Sequence, residues 1–403
     1  MKNTRNAMNR RSFLQQSALA GVAAATVSGV SAAAQNKPTA GGSGVPLREK
    51  FFGCIAGCHI GSAMGAAVEG WSWENIEKKY GTLDNLYTYG GYGANWKREP
   101  GTTEDGIERQ KLMITAIIEK KDRVNAEDIR RIWVRDIKPE SAGKVSEPFE
   151  ADLLAMAKTP IPATELGKFC DYAGLVSLAR SCHPIGLINA GDVQDAMEDI
   201  YEVGQLYQTT NSRGIQWGAV TTVAIAAATR PGATVDSVLG AIFDNCDKTP
   251  NPGQKGSGVV REIERALKAT AGCKDFREMR TAFDPIYSGR GLAYAQSYAN
   301  EVVSKAVCIF RMVKGNPMDA MIAAVNLGRD TDCLASVATG ISGALSGGSA
   351  IREDLIKQVD YATTLNKYTN SQRTLRQGAD GLYEAYKARL RKMKAFVEEM
   401  DVA

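Results

Sequence analysis

A chain of 403 residues with 44% hydrophobic and 23% charged residues can bury a sizeable core, as one large domain or two small ones. Its formal charge is +4, and Lys2, Arg5, Arg10 and Arg11 account for all of it, because residues 1–34 contain no acid. The remainder, 45 basic against 45 acidic residues, argues against nucleic acid or an anionic membrane surface as a main partner.

The chain opens on Asn9-Arg10-Arg11-Ser12-Phe13-Leu14-Gln15, a twin-arginine pattern. A mildly apolar run from Ala18 to Ala33 follows, and Ala32-Ala33-Ala34 fits a small-residue cleavage site. The expectation is a signal over residues 1–34 read by the twin-arginine export machinery, and a periplasmic or secreted protein. The apolar run falls short of the ~20 residues that span a bilayer, so no stable membrane insertion is expected after cleavage. Nothing else in the chain reads as long and apolar enough to span. Residues 35–48, rich in Gly, Pro and Ser, are expected to be a linker, and residues 49–403 a single domain.

From Phe51 a helical period sets in, with Gly53, Gly57, Gly61 and Gly65 every fourth residue. Such spacing leaves one helix face bare, so that another backbone can approach closely. Ser72 is placed to cap a short second helix. Residues 84–103 form a long loop with Tyr87, Tyr89, Tyr92 and Trp96. These rings, with Trp71 and Trp73, suit either stacking on a sugar or base, or plain packing. Helix resumes after Thr103-Glu104-Asp105-Gly106, and Asn125 caps the next. Residues 138–170 hold four prolines and are expected to be irregular. Further helices are expected at about 192–207, 215–229, 234–246, 258–271, 276–287, 293–314, 317–326, 332–346, 352–365 and 376–398. Strand alternation and 20–50-residue repeats are not evident, so the fold class is all-α, a single multi-helix bundle.

The eight cysteines show no compact disulfide framework and read mostly as small buried residues. Two histidines, His59 and His183, are too few for a zinc site with several His ligands. His59 lies on an apolar helix. His183, before Pro184, is the better pocket residue.

Two acidic clusters remain. Asp330 and Asp332 stand on the turn Asn326-Leu327-Gly328-Arg329-Asp330-Thr331-Asp332-Cys333, between two apolar helical runs. Thr103-Glu104-Asp105 is the other cluster, and each lies where a helix starts. Thr, Asp and Glu are ordinary residues for such places, favoured as caps and by the helix dipole. The helices that follow, however, carry many small residues and suit burial, and buried carboxylates need a partner. For Asp330 and Asp332 that partner is either Arg329 or a divalent cation. Hard oxygen donors suit Mg²⁺, Ca²⁺ or Mn²⁺.

These clusters carry a resemblance. Gly57-x-x-x-Gly61-Ser62-Ala63-Met64-Gly65-x-x-Val68-Glu69-Gly70, Thr103-Glu104-Asp105 and Asn326-Leu327-Gly328-Arg329-Asp330-Thr331-Asp332-Cys333 are similar, in order and spacing, to three motifs of the ADP-ribosylglycohydrolase family. The resemblance covers roughly residues 50–350 and implies an orthogonal all-α bundle of that type. It also implies a two-ion Mg²⁺ (or Mn²⁺) site that holds a ribose and cleaves its N- or O-glycosidic bond. By position it makes Thr103, Glu104, Asp105, Asp330, Asp332 and Cys333 metal ligands, and Glu104 and Asp105 catalytic. It places Glu69, Arg180, His183, Asn326 and Gly328 at the substrate, a small molecule or a glycosylated group. The departures are Glu104 for Asp, Gly106 and Cys333 for Thr, Ser62 for Asp, and Asn211 for His. They leave one of the two ion positions altered or lost. The alternative they raise is a family scaffold that binds a sugar, nucleoside or metal without turnover.

Overall fold

The computed structural model describes residues 44–90, 98–138, 149–169, 176–209, 213–246, 258–287, 297–365 and 368–401. The twin-arginine segment, most of the linker, Tyr92, Trp96, Cys170 and Asn211 lie outside these. The described helices are α1 (Leu47–Gly65), α2 (Trp73–Tyr80), α3 (Asp105–Lys120), α4 (Ala126–Asp136), α5 (Phe149–Ala157), α6 (His183–Ile188), α7 (Val193–Val203) and α8 (Arg213–Ala228). They continue as α9 (Val235–Cys246), α10 (Gly258–Ala269), α11 (Phe276–Phe283), α12 (Ala299–Met312), α13 (Pro317–Val325), α14 (Thr331–Ser346), α15 (Glu353–Thr364) and α16 (Leu375–Asp401). The described residues form no strand, and their β features are isolated bridges such as Tyr89–Arg98 and Ile137–Thr369. The expected all-α class is therefore observed.

The axis of the fold is the pair α1 and α14. A Cβ at Gly57 would lie 2.9 Å from the Thr339 carbonyl oxygen, and one at Gly61 2.9 Å from that of Ala335. At the two ends, a Cβ on Gly53 would meet Gly343 and Gly347, and one on Gly65 would meet Thr331. As α1 ascends its partner descends, so the two helices are antiparallel with backbones in contact. The bare stripe read from the sequence has this physical use. The start of α14 is thereby pinned against the end of α1.

Leu47–Val68 is in fact long and apolar enough to cross a membrane by length and composition, which corrects the expectation that no such segment follows the signal. Other helices enclose nearly all of it, and a helix apolar all round is what a buried core position requires. α16 covers it from outside, with Phe51 5.6 Å from the Tyr383 ring and 5.8 Å from that of Tyr386.

Caps behave as expected. The Ser72 hydroxyl accepts from the Asn75 amide at 3.4 Å. Asn125 and Asp128 form a reciprocal capping box at the start of α4. The region expected to be irregular contains α5 and a 3₁₀ segment, Ala163–Phe169. Its prolines bracket helix rather than forbid it: Pro148 immediately precedes α5, and Pro160 follows its end.

Candidate metal centre

Three helix ends meet at one place. The starts of α3 and α14 bring Asp105 and Asp332, with Glu104 and Asp330 as their N-cap residues. The end of α1 runs through a 3₁₀ turn, Ala66–Val68, into Glu69. Two helix N-termini facing one spot favour negative charge there.

The turn into α14 is shaped by two consecutive left-handed residues, Gly328 (φ 73°) and Arg329 (φ 69°). A Cβ at Gly328 would come 2.6 Å from the Trp73 amide nitrogen, so only glycine fits. The Arg329 amide donates to the Trp71 carbonyl at 2.7 Å, and the Gly70 amide to the Arg329 carbonyl at 2.8 Å. These bonds tie the Glu69 loop to the acidic turn. The Arg329 side chain forms a bidentate pair with Glu301, at 2.6 and 2.9 Å.

Glu104, Asp105, Asp330 and Asp332 are all buried, at 3% exposure or less. Asp330 does serve as a cap, since its Oδ1 accepts from the Cys333 amide at 3.3 Å. Glu104 makes no side-chain cap bond. Its Oε1 is held by Arg98 at 2.5 Å, and Arg98 also donates to the Tyr89 hydroxyl and lies over the Tyr89 ring. Asp105 accepts from Arg180 at 2.6 Å, with Arg109 3.7 Å away. The other Arg180 nitrogen lies 3.3 Å from Cys333 Sγ and 3.7 Å from Asp332 Oδ2.

Four carboxylate oxygens in this cluster, Glu104 Oε2, Asp330 Oδ2, Asp332 Oδ1 and the Oδ1 of the arginine-paired Asp105, are buried without a hydrogen bond from the chain. Ligand atoms of Asp330, Asp332 and Cys333 lie within 4.8 Å of one another. Burial raises the Glu104 carboxyl, with Asp332 adding to it and Arg98 opposing. Burial and then the charge of Asp332 hold Asp330 well above the usual carboxylate range. Glu69, exposed at the rim, is also pushed well up, chiefly by Asp332, then by burial, Asp330 and Glu104. Such mutual repulsion is what a divalent cation relieves, and the orphaned donors are hard oxygens. The donor set therefore fits a hard divalent ion. The soft sulfur of Cys333 suits a hard ion less well, and burial drives its thiol well above its ordinary pKa, with Arg180 opposing.

Other expected site residues are used differently. Thr103 donates its hydroxyl to Glu108 at 2.6 Å and accepts from Lys111 at 3.1 Å, within a buried ion pair. Asn326 binds the Leu83 backbone through both ends of its amide, at 2.9 and 2.8 Å. His183 is fully buried, with Nε2 3.2 Å from the Ser336 carbonyl and Nδ1 3.2 Å from Gln110 Nε2. Thr103, Asn326, Gly328 and His183 thus support the site rather than line it. The described aromatic rings pack as well: Tyr87 on Tyr80, Trp71 under Lys79, and Trp73 under Arg280. Sequence reading missed Arg98 and Arg109. An arginine six residues before Glu104, in a Gly- and Tyr-rich loop, was the one available hint.

An all-α chain with a buried carboxylate cluster at paired helix starts, suited to a hard divalent cation, defines the class. The profile of the ADP-ribosylglycohydrolase family matches residues 43–390, and the chain belongs to that family. An uncharacterized protein of Archaeoglobus fulgidus is 24% identical over 307 residues, 74% of this chain and 88% of its own. The uncharacterized protein YegU of Escherichia coli is 23% identical over 342 residues, 79% of this chain and 97% of its own. Among solved structures, one of an ADP-ribosylglycohydrolase-related protein complex has a TM-score of 0.58 at 16% identity, covering 85% of this chain and 98% of that one. At that identity the likeness shows the fold.

Proposed function

We propose that the chain is a metal-dependent glycoside hydrolase, cleaving an N- or O-glycosidic bond of ADP-ribose or a related riboside. The observation that carries this reading is the set of orphaned oxygens on Glu104, Asp330 and Asp332. Leaving buried charges uncompensated costs several kcal/mol each, and family membership points to the same class of chemistry. Asp330, Asp332 and Glu104 would hold Mg²⁺ or Mn²⁺. When bound, such an ion supplies Lewis acidity, orienting sugar hydroxyls and lowering the pKa of a water.

The chain's own residues divide the remaining work. Asp105 is fixed by Arg180, so it positions that guanidinium rather than moving a proton. Glu69 is exposed at the rim with a carboxyl raised chiefly by the charge of Asp332, which suits general acid–base work. The acids around the sugar would stabilise positive charge developing at its anomeric carbon.

Calorimetric titration with Mn²⁺ tests the reading on wild type and on Asp330→Ala/Asp332→Ala. Binding by wild type and none by the double variant is expected, and unchanged binding would sink it. Hydrolysis is then screened on ADP-ribosylated protein, nucleosides and a glycoside panel, with and without metal. Export is part of the proposal, resting on Arg10-Arg11. Arg10→Lys/Arg11→Lys is expected to retain the protein inside the cell, as read by fractionation.

A further inference from the structure

Arg180 follows a defined course through the acid cluster. It crosses the first turn of α3 directly over Gly106, where a Cβ would lie 2.5 Å from its Cδ and 2.6 Å from its Nε. Any residue but glycine at that position would block the path. Its carbonyl is fixed by the Ser336 hydroxyl at 3.3 Å and by Gln110 Nε2 at 3.4 Å. Its guanidinium then lies between the two helix starts, 2.6 Å from Asp105, 3.3 Å from Cys333 Sγ and 3.7 Å from Asp332.

We propose that the guanidinium of Arg180 is a built-in cation, and that the site takes a single divalent ion. This rests on reading the acid cluster as a divalent-ion site. On the Asp105 and Cys333 side the negative charge already has its counter-charge, and the neutral thiol faces an arginine rather than a metal. Asp105 keeps one oxygen without a hydrogen bond but has two guanidiniums beside it, whereas the orphaned oxygens of Asp330 and Asp332 have no guanidinium within 3.5 Å and Glu104 has Arg98 on its other oxygen only. Five carboxylates (Glu69, Glu104, Asp105, Asp330, Asp332) face three guanidiniums (Arg98, Arg109, Arg180), so two negative charges remain, the charge of one divalent ion. A guanidinium stays protonated and keeps its geometry, which makes it a permanent substitute for a cation. It cannot deliver a coordinated water, so the chemistry is that of one ion. Gly106, Arg180 and Cys333 form one device: the first opens the path, the second fills it, and the third tolerates a cation at its side.

The test uses the full chain and Mn²⁺ alone, counting ions per chain by equilibrium dialysis and reading their coupling by electron paramagnetic resonance. Wild type is expected to hold one isolated ion. Arg180→Ala is expected to take up a second, with an exchange-coupled spectrum, and Arg180→Lys to keep one. Two ions in wild type would overturn this inference and leave the metal reading standing. No ion in wild type would overturn both. A folded Arg180→Ala chain that still binds one ion would also overturn it. Should Arg180→Ala not fold, Asp105→Asn decides. Expected is a loss of about tenfold in Mn²⁺ affinity, as for an outer residue, against about a hundredfold or more for Asp332→Asn. Equal losses would overturn the assignment.

Discussion

Two polar regions lie along the same pair of helices, one turn and a half apart, and they are opposite in kind. At the starts of α3 and α14 the acid cluster keeps buried carboxylate oxygens without partners. Five residues further along each helix, Gln110 and Ser336 belong to a closed neutral network. His59 Nε2 bonds Gln110 Oε1 at 2.9 Å, Gln110 Nε2 reaches Cys58 Sγ and His183 Nδ1, and Cys58 Sγ lies 2.9 Å from the Ser336 hydroxyl. Burial lowers His183 to about 4 and His59 to about 3, so both rings are neutral. Arg180 joins the regions: its carbonyl belongs to the network and its guanidinium to the cluster. Buried polar groups that are satisfied specify structure, and those left unsatisfied in a cleft mark chemistry.

The largest expected effect breaks the open side. Asp332→Ala removes an orphaned donor from the cluster. It should abolish Mn²⁺ binding and lower any hydrolysis by at least about a hundredfold, read by calorimetry and single-turnover rates. The apo variant should melt no lower than the apo wild type, because one of the mutually repelling acids has gone. A large drop in the apo melting temperature would move Asp332 to the structural side.

His183→Asn tests the closed side. Losing a ring bonded at both nitrogens should cost about 2–3 kcal/mol in chemical denaturation, with Mn²⁺ affinity changed less than about threefold. The cost should depend on pH. His183 titrates near 4 in the fold and near 6.5 when unfolded, so the unfolded chain binds its proton more tightly between those values. Its contribution is whole above about 6.5 and is lost as pH falls toward about 4, by an amount on the order of 3 kcal/mol. The gap between wild type and variant should therefore narrow on acidification. A gap that widened would mean the ring carries charge in the fold.

Most of the helical frame was legible because apolar period and caps are local, and the glycine stripe announced its close packing. The acidic pairs were legible as clusters because both carboxylates of a pair share one turn. What was hidden is where each side chain turns. Thr103 faces Lys111 and Glu108, Asn326 faces Leu83, and His183 faces Gln110, all by tertiary packing that no spacing encodes. Arg109 carries no local pattern, and Arg98 only its place six residues before Glu104. The helix α5 was hidden because prolines beside a helix and prolines that exclude one look alike in composition.

The smallest expected effect is the sharpest on where the two regions divide. Cys333 shares the first turn of α14 with Asp332, and its position suggests a ligand. In the structure its sulfur accepts from Arg180 at 3.3 Å and lies 3.5 Å from Asp332 Oδ2, as a protonated thiol would. A thiol held this way is an outer partner, so Cys333→Ala removes two weak bonds and little else. It should cost about 1 kcal/mol of stability and change Mn²⁺ affinity by less than about tenfold. Were the sulfur a ligand, the same change would remove a donor from the ion itself. Affinity would then fall as far as it does for Asp332→Ala, and the boundary between the open and closed regions would lie one residue further along α14.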